Sequence, residues 1–336
     1  MNTNDPSLVL VTGATGAVGP LVVRELCNAG YHVRSLSIDR PTAGVWPEGV
    51  DERTGDVTNP ADVEAAMHGV GSVVHLAALL HIVNAGPELH HEYERINVGG
   101  TATVVRAAAN GGVRRVVFFS TIAVYGQSAG KVLTEESPVQ PENFYAQTKH
   151  TGERIVLDAR AADGSHIGAV LRLAAVYGSR VKGNYRSLTR SLARNRFVPI
   201  GKGQNRRTLV YDKDVARAAV LAVEKPEAAG KVFNVSDGTF HTVRDIILSI
   251  CEALGRRPPR MSLPVGVVRT AAGIAEDLAQ FVGLRSPVNR AIIEKYTEDI
   301  AVDGGRICRE LAFSPEYDLA AGWRETVSDM RMQGHL

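Results

Sequence analysis

A tyrosine and a lysine four residues apart, Tyr145 and Lys149, have the types and spacing needed for proton transfer. In a helix this spacing puts both side chains on one face, one turn apart. A phenol titrates near ~10 in water, and a neighbouring ammonium lowers that pKa. Thr121, at the end of an apolar run, could hold the same substrate oxygen. We therefore expect Thr121, Tyr145 and Lys149 to act in acid–base catalysis; the alternative is a chance pairing on a surface helix.

A glycine-rich stretch near the N-terminus would place a cofactor beside these residues. Leu8–Val11 is an apolar, β-branched run that predicts a buried parallel strand, and a periodic apolar segment after Gly19 predicts a helix ending near Gly30. Glycines allow the sharp turn and let a pyrophosphate approach the backbone, while the helix N-terminus attracts the anion. The spacing is Gly-x-x-Gly-x-x-Gly, not the usual Gly-x-Gly-x-x-Gly. The predicted dinucleotide contacts are Gly13, Thr15, Gly16, Ala17, Val18 and Gly19.

The end of the second predicted strand, Tyr31–Ile38, bears on the choice of cofactor. A carboxylate there accepts hydrogen bonds from the adenosine ribose 2′-OH, whereas an arginine favours a 2′-phosphate. Asp39 and Arg40 are adjacent, so we expect NAD and keep NADP as the alternative.

Later segments add candidates for the cofactor and substrate sites. Asp56 could bond the adenine amino group or cap the turn before the helix at Pro60–Met67. The small residues Ala77 and Ala78 follow a buried strand and would let a cofactor lie against the backbone. The buried amide of Asn97 needs hydrogen-bond partners. Two histidines have different expectations: His75 is a core histidine, and His81 is a candidate for substrate contact.

Strands and helices alternate five times up to Thr121, which predicts a doubly wound parallel sheet. We expect an α/β Rossmann fold in which residues 1–175 bind the dinucleotide and segments near 208–240 complete the sheet. Residues 176–330 should mainly form a smaller, C-terminal substrate-binding lobe.

Composition excludes several classes of protein. The net charge of +2 over 336 residues gives no strong field for nucleic acid or membranes. The three cysteines lack metal or disulfide spacing, which suits a reducing cytoplasm, and we expect no bound metal. The sequence has no secretory leader pattern and no run of 18 apolar residues, so we expect no membrane span.

Several stretches together resemble the extended short-chain dehydrogenase/reductases, specifically the NAD-dependent epimerase/dehydratase family that acts on nucleotide sugars. The similarity covers roughly residues 7 to 330. The matching motifs are Thr12–Gly19, Gly55–Val57, His75–Ala78, Asn97–Thr101, Ser120–Gly126, Tyr145 with Lys149, and Leu171–Gly178. The resemblance implies that Thr121, Tyr145 and Lys149 form the catalytic triad and that Lys149 also binds the nicotinamide ribose. It implies that Asn97 supports the site and adds Val57 and Leu76 to the predicted cofactor contacts.

Departures from the family pattern narrow the expected reaction. The 4,6-dehydratases of the family place Asp-Glu after the catalytic threonine, where this chain has Ile122 and Ala123, so dehydration is not expected. An asparagine that contacts substrate phosphate in many epimerases is replaced within Ala174–Ala175. We expect a nucleotide-diphosphate-sugar 4-epimerase that works through a 4-keto intermediate. The alternatives are an NAD(P)H-dependent 4-keto-sugar reductase, a hydroxysteroid-type dehydrogenase and a non-enzymatic dinucleotide sensor.

The second half of the chain contains a basic segment suited to an anionic ligand. Between Arg180 and Arg207 the sequence has nine Lys or Arg and no Asp or Glu. We expect Arg207 to contact the substrate diphosphate, with Asn184 as a weaker candidate, and Arg186, Arg190 and Arg194 to form a solvated helix face. Nucleic acid is a poor ligand because no aromatic stacking series accompanies the arginines. Residues 261–285 could pack on the lobe, form a lid, line a dimer face or lie on a membrane, and we expect a homodimer.

Overall fold

The computed structural model describes residues 4–80, 86–281 and 296–336. The strands of the described chain are β1 (Asp5–Thr12), β2 (His32–Ser37), β3 (Asp51–Thr54), β4 (Val70–His75), β5 (Arg115–Thr121), β6 (Val132–Leu133), β7 (Gly168–Leu173), β8 (Ala175–Tyr177), β9 (Arg206–Arg207), β10 (Leu209–Tyr211), β11 (Lys231–Val235), β12 (His241–Thr242) and β13 (Ala301–Val302).

The described helices are α1 (Gly19–Asn28), α2 (Pro60–Met67), α3 (His90–Tyr93), α4 (Thr101–Asn110), α5 (Phe144–Leu157), α6 (Asn184–Ala193), α7 (Asp212–Glu224), α8 (Val243–Leu254), α9 (Val265–Phe281), α10 (Gly305–Leu311) and α11 (Leu319–Met332). A π-helix at Glu94–Gly100 joins α3 to α4. None of the described helices is long and apolar enough to cross a lipid bilayer.

Seven strands form one all-parallel sheet in the spatial order β3, β2, β1, β4, β5, β7, β11. This is the doubly wound Rossmann order, extended by the late strand β11 at one edge. The chain reverses direction across the sheet between β1 and β4, so the carboxyl ends of these two strands mark the place where ligands bind in such folds. The predicted fold class is confirmed.

The sheet separates two hydrophobic cores because successive side chains of a strand point to opposite faces. On β1, Val9 and Val11 pack in the core with α1 and α7, whereas Leu10 packs in the core with α2, α4 and α5. A third core joins α6, α8 and α11 around Tyr177 and Trp323, whose rings stack with centroids 4.6 Å apart. This third core belongs to the later part of the chain.

The segment that leads into α4 is not a regular α-helix. Helical structure begins at α3, and the segment around Asn97 is a π-helix. π-Helical turns insert an extra residue and frequently mark functional sites. Their spacing is not visible in a pattern of apolar residues, which explains why the sequence did not predict it.

Candidate active site

The carboxyl ends of β1 and β4 lie close together at the centre of the sheet. The backbone N–H of Leu76 donates to the carbonyl of Thr12 at 3.1 Å. Gly13 has a φ of +69°, and a Cβ there would lie 2.7 Å from the backbone of Ala77. Gly13 is therefore required both by its conformation and by the approach of the neighbouring strand end.

The other two glycines of the motif have different roles. A Cβ on Gly19 would lie 2.2 Å from the carbonyl oxygen of Ala14, so this glycine permits the packing of α1 against the turn. A Cβ on Gly16 would meet only the carbonyl oxygen of Gly13, at 3.1 Å. The helix α1 has no side-chain cap and no acidic residue in its first turn, and Val18 is its N-cap residue. The amides of Gly13, Thr15 and Gly16 have protein partners, whereas the start of α1, which no side chain caps, presents its positive dipole end to an anion.

A pocket of about 230 Å³ adjoins the glycine loop. It contains residues from the turn, from the end of β2 and from β3. Its lining residues are Thr15, Ser35, Ser37, Asp39, Arg40, Pro41, Trp46, Glu52, Arg53 and Thr54. The structure therefore brings the predicted residues Thr15, Asp39 and Arg40 to one pocket, which two carboxylates and two guanidinium groups line.

Other predicted cofactor residues are distributed along the same edge of the sheet. Asp56 caps a turn, because one of its carboxylate oxygens accepts the N–H of Thr58 at 2.9 Å, and Arg95 lies 3.6 Å from the other oxygen. Val57 is buried against Gly100. Ala78 is half-buried after β4. The candidate substrate residue His81 lies outside the described residues.

The buried amide of Asn97 has the partners that the sequence required. Its oxygen accepts the N–H of Leu79 at 2.7 Å, and its nitrogen donates to the Leu79 carbonyl at 3.1 Å and to the Thr148 hydroxyl at 3.2 Å. These bonds connect the π-helix to the chain after β4 and to α5. Asn97 therefore fixes the position of α5, the helix that carries Tyr145 and Lys149, relative to the carboxyl end of β4.

His75 is a buried, neutral histidine. Thr101 donates its hydroxyl proton to the Asn97 carbonyl at 2.6 Å, so its oxygen accepts from Nε2 of His75 at 3.0 Å. Nδ1 then accepts the hydroxyl proton of Thr12 at 2.6 Å. Burial, with a smaller effect of the charge on Lys149, lowers the pKa of His75 to about 3. The histidine is thus a structural group, as the sequence predicted.

Tyr145 lies in the first turn of α5, which Asn143 caps by accepting the N–H of Ala146 at 2.9 Å. Its ring packs edge-on against Tyr93, with centroids 6.3 Å apart, and the Tyr93 hydroxyl donates to the carbonyl of Leu80. Burial, followed by the effect of Tyr93, raises the pKa of Tyr145 to about 12. In the protein alone, desolvation of the phenolate therefore shifts this pKa upward, whereas the lowered pKa predicted from the sequence is for Tyr145 beside a charged Lys149 and an oxidised nicotinamide.

Lys149 is buried one turn further along α5. Its Nζ lies 4.0 Å from the centre of the Phe118 ring. Burial lowers the pKa of Lys149 to about 7, and the carboxylate of Glu153 only partly opposes this shift. The amine is therefore close to half charged at neutral pH, so its charge responds to small changes around it.

A buried ion pair behind Lys149 was not identified in the sequence. Glu153 accepts from the Ser120 hydroxyl at 2.6 Å and from two nitrogens of Arg172 at 2.8 and 2.7 Å. Both charged side chains are almost fully buried. The guanidinium lies 4.7 Å from the centre of the Tyr125 ring. Glu153 continues the four-residue spacing of Tyr145 and Lys149, and this spacing was the available signal.

Thr121 is the last residue of β5 and is half-exposed. Its hydroxyl oxygen accepts the N–H of Ala123 at 3.2 Å and caps the short 3₁₀ turn at Ile122–Tyr125. The neighbouring Ser120 is bonded to Glu153 on α5. The end of β5 is thereby tied to the helix that carries the tyrosine and the lysine.

The predicted substrate contact Arg207 is hydrogen-bonded to another part of the chain. Two nitrogens of Arg207 donate to the carbonyls of Tyr296, at 3.0 Å, and Glu298, so this guanidinium holds the chain before β13. Arg206 is paired with Asp299. These arginines therefore have protein partners where the sequence predicted an anion contact for Arg207.

The start of α6 keeps basic groups near solvent. Asn184 is exposed and lines a small cavity with Lys182 and Arg186. The predicted solvated helix face holds only for Arg194, because Arg186 is half-buried and Arg190 donates to the His335 carbonyl at 3.1 Å.

Comparisons with known proteins agree with this geometry. A sequence model of the NAD dependent epimerase/dehydratase family matches residues 9–236. The UDP-glucose 4-epimerase of Vibrio cholerae is 27% identical over 325 residues, covering 96% of this chain and 94% of that protein. The dTDP-glucose 4,6-dehydratase of Streptomyces griseus is 30% identical over 334 residues, covering 95% and 93%. The structure of MoeE5 in complex with UDP-glucose and NAD is 25% identical, with a TM-score of 0.76, and covers 97% of this chain and 99% of that one.

Proposed function

Because this chain belongs to the NAD-dependent epimerase/dehydratase family, we propose that it is a nucleotide-diphosphate-sugar 4-epimerase. The observation that carries the proposal is the pair on α5: a half-buried phenol, Tyr145, whose pKa is raised, and a buried amine, Lys149, whose pKa is lowered, one helical turn apart. Asn97 and Ser120 tie this helix to the carboxyl ends of the central strands. This is the chemistry needed to move a proton at a sugar hydroxyl beside a dinucleotide.

The residues present fit NAD. A Cβ at Gly16 would reduce the space inside the glycine loop. The uncapped start of α1 offers backbone donors to a pyrophosphate. The pocket lined by Asp39 would take the adenosine end, with the carboxylate accepting from the ribose hydroxyls. When bound, NAD would accept a hydride from C4 of the sugar and return it to the opposite face.

The proposed role of Tyr145 is to take the proton of the C4 hydroxyl and to return it after the 4-keto sugar has turned over in the site. The phenolate needed for the first step is disfavoured by burial, so a positive charge must stabilise it. Lys149 is the protein cation nearest in sequence on the same helix face. Thr121, half-exposed at the end of β5, would hold the same sugar oxygen.

A 4-keto-sugar reductase is the second candidate, and a specific observation favours it. With a pKa of about 12, Tyr145 carries its proton at neutral pH and is ready to donate it to a ketone. Arg40 and Arg53 also line the adenosine pocket, where they suit the 2′-phosphate of NADPH. An epimerase keeps its NAD from one turnover to the next, whereas a reductase must exchange it.

The proposal also assigns a role to each half of the chain. We assign dinucleotide binding to residues 1–175 together with β11, and nucleotide-sugar binding mainly to residues 176–330. The basic start of α6, with Lys182 and Asn184, would face the diphosphate. The active form would be a cytoplasmic homodimer, and light scattering measures its mass.

The experiment is a comparison of Tyr145→Phe with the natural protein on UDP-, dTDP- and GDP-sugars. We expect the natural protein to form the C4 epimer, detected by NMR, and to release about one NAD per chain on denaturation. The Tyr145→Phe variant should lose at least 100-fold in turnover because it lacks the proton donor and acceptor. Tyr31→Phe is the matched control. It removes a tyrosine hydroxyl just before the N-terminal end of β2, away from the carboxyl ends of the strands, and should keep full activity.

The products separate the candidates. A 4-keto-6-deoxy sugar would identify dehydration and contradict the epimerase proposal, as would stoichiometric consumption of added NADPH. Unchanged turnover in Tyr145→Phe would contradict the catalytic assignment itself.

A further inference from the structure

One exposed surface of the later half of the chain combines apolar and basic side chains. We call it the basic apolar patch. Its members come from the segment after α6, from the segment between α8 and α9 and from the start of α9. They are the apolar residues Val198, Met261, Leu263, Val265 and Val267 and the basic residues Arg194, Arg196, Lys202, Arg256, Arg257 and Arg260, all exposed.

The two halves of the patch are joined by backbone hydrogen bonds. The N–H of Leu263 donates to the carbonyl of Pro199 at 2.9 Å, and the N–H of Gly201 donates to the carbonyl of Leu263 at 2.8 Å. A Cβ on Gly201 would lie 2.8 Å from a methyl group of Val265. The segment containing Val198 and the chain leading into α9 therefore form one continuous surface.

Several apolar side chains of the patch are exposed within the part of the chain that the structure describes. Met261 is 78% exposed and Val267 is 62% exposed, although they are only six residues apart. Single exposed apolar residues are ordinary on protein surfaces, but a contiguous group usually marks a contact with another molecule or with a membrane.

The chain segments that form the patch carry basic residues and no acidic ones of their own. Residues 194–207 and residues 256–275 contain no aspartate or glutamate. The whole chain is nearly neutral, with a net charge of +2, so the basic groups are concentrated here and not spread evenly. Basic side chains that surround aliphatic ones match a bilayer with anionic headgroups, because the charges meet the headgroups while the aliphatic groups enter the interface.

We propose that the basic apolar patch docks the protein onto the surface of an anionic lipid bilayer. A second copy of the chain is a poorer occupant, since a two-fold interface would bring the same basic residues against each other. The proposed docking is peripheral, since the patch is a surface of exposed side chains. The proposal does not depend on which sugar reaction the enzyme catalyses.

The test is flotation of the purified protein with vesicles of phosphatidylcholine alone or mixed with phosphatidylglycerol. We expect binding only to the mixed vesicles, and we expect it to weaken as salt screens the charges. Met261→Asp with Val267→Asp should reduce the partition coefficient at least 10-fold. Replacing Arg256, Arg257 and Arg260 by Glu should also reduce it at least 10-fold.

Matched controls separate the patch from general surface effects. Met332→Asp changes a methionine of nearly equal exposure, 77%, at the far end of α11 and should leave binding unchanged. Replacing the exposed residues Arg106, Arg154 and Arg324 by Glu gives the same net charge as the patch triple and should lower binding less than 3-fold.

Three results would overturn the proposal. The first is equal flotation with neutral and anionic vesicles, or none with either. The second is an equal loss in the patch and control variants. The third is a dimer that Met261→Asp converts to monomer without any vesicle binding in the natural protein, which would assign the patch to a contact between copies.

Discussion

Replacing Glu153 by Gln tests how the buried ion pair behind Lys149 supports the site. The carboxylate is bonded to Nε and Nη2 of Arg172 at 2.8 and 2.7 Å and to the Ser120 hydroxyl at 2.6 Å. Arg172 is only 4% exposed, and its Nη1 has no partner within the described part of the chain. Loss of the carboxylate would leave this guanidinium buried without a counter-charge.

The expected cost follows from that burial. Removing one partner of a buried ion pair destabilises a protein by about 3–5 kcal/mol, and we expect about 3 kcal/mol because glutamine keeps the shape and one acceptor. Urea titration at pH 7 measures it. Glu310→Gln, which breaks the half-exposed pair with Lys231 of similar length, should cost less than about 1 kcal/mol.

The pH dependence gives the second check on Glu153. Its burial raises the pKa, but the hydrogen bonds and charge of Arg172 outweigh that effect, so the pKa is lowered in the folded protein. A carboxyl whose pKa is lowered by folding stabilises the native state above its unfolded pKa and loses this contribution as the pH falls. The difference between the natural protein and Glu153→Gln should therefore shrink below about pH 4.5.

A double variant decides whether charge or packing is responsible. Replacing both Glu153 and Arg172 by Met removes both charges, and such exchanges are often neutral or stabilising. The double variant should be more stable than Glu153→Gln. The reasoning would be refuted if Glu153→Gln lost less than about 1 kcal/mol, or if the double variant lost as much as the two single Met variants combined.

Three further predictions use the same urea and ligand-binding assays. Lys149 has a pKa of about 7 in the folded protein, so between that pH and about pH 10 the unfolded chain binds one more proton than the folded protein does. The free energy of unfolding of the natural protein relative to Lys149→Met should therefore rise by about 1 kcal/mol per pH unit over this range. A difference that does not change with pH would contradict the burial argument. Gly13→Ala should abolish NAD binding and destabilise the fold, because its Cβ meets backbone at 2.7 Å, whereas Gly30→Ala, also at positive φ but with open space, should cost about 1–2 kcal/mol and retain binding. Asp39→Asn should raise the affinity for NADP relative to NAD at least 10-fold, measured by fluorescence titration, and an unchanged ratio would remove Asp39 from cofactor recognition.

The parts of the site that depend on local spacing could be predicted from the sequence. The positive φ that the turn after β1 requires at Gly13 is a local property, unlike the approach of Ala77, and the helix face shared by Tyr145 and Lys149 follows from helical geometry alone. The alternation of strands and helices similarly predicted the parallel sheet. In each case the physical cause and the pattern lie in the same short segment.

The parts that depend on distant partners could not be predicted. The basic segment, together with the family resemblance, predicts an anion contact for Arg207, whereas in the structure two of its nitrogens donate to the carbonyls of Tyr296 and Glu298, about ninety residues later. The direction of the Tyr145 pKa shift depends on burial and on Tyr93, which comes from another helix. Spacing identifies which groups share a face, but only packing determines how much solvent they lose.

Burial shifts the pKa values of the two acid–base groups of the site in opposite directions, and each shift stabilises the uncharged form of its group. The pKa of Tyr145 rises to about 12 and that of Lys149 falls to about 7, so near neutral pH the phenol keeps its proton and the amine has lost about half of its positive charge. The neutral His75 behind them adds no charge. A site held close to neutrality has a low capacity to screen an added charge, so a charged ligand that enters it would shift both pKa values more strongly than it would in water. The ionisation of the phenol is thereby left to the ligand, which is the property expected of a residue that must release a proton in one step and recover it in the next.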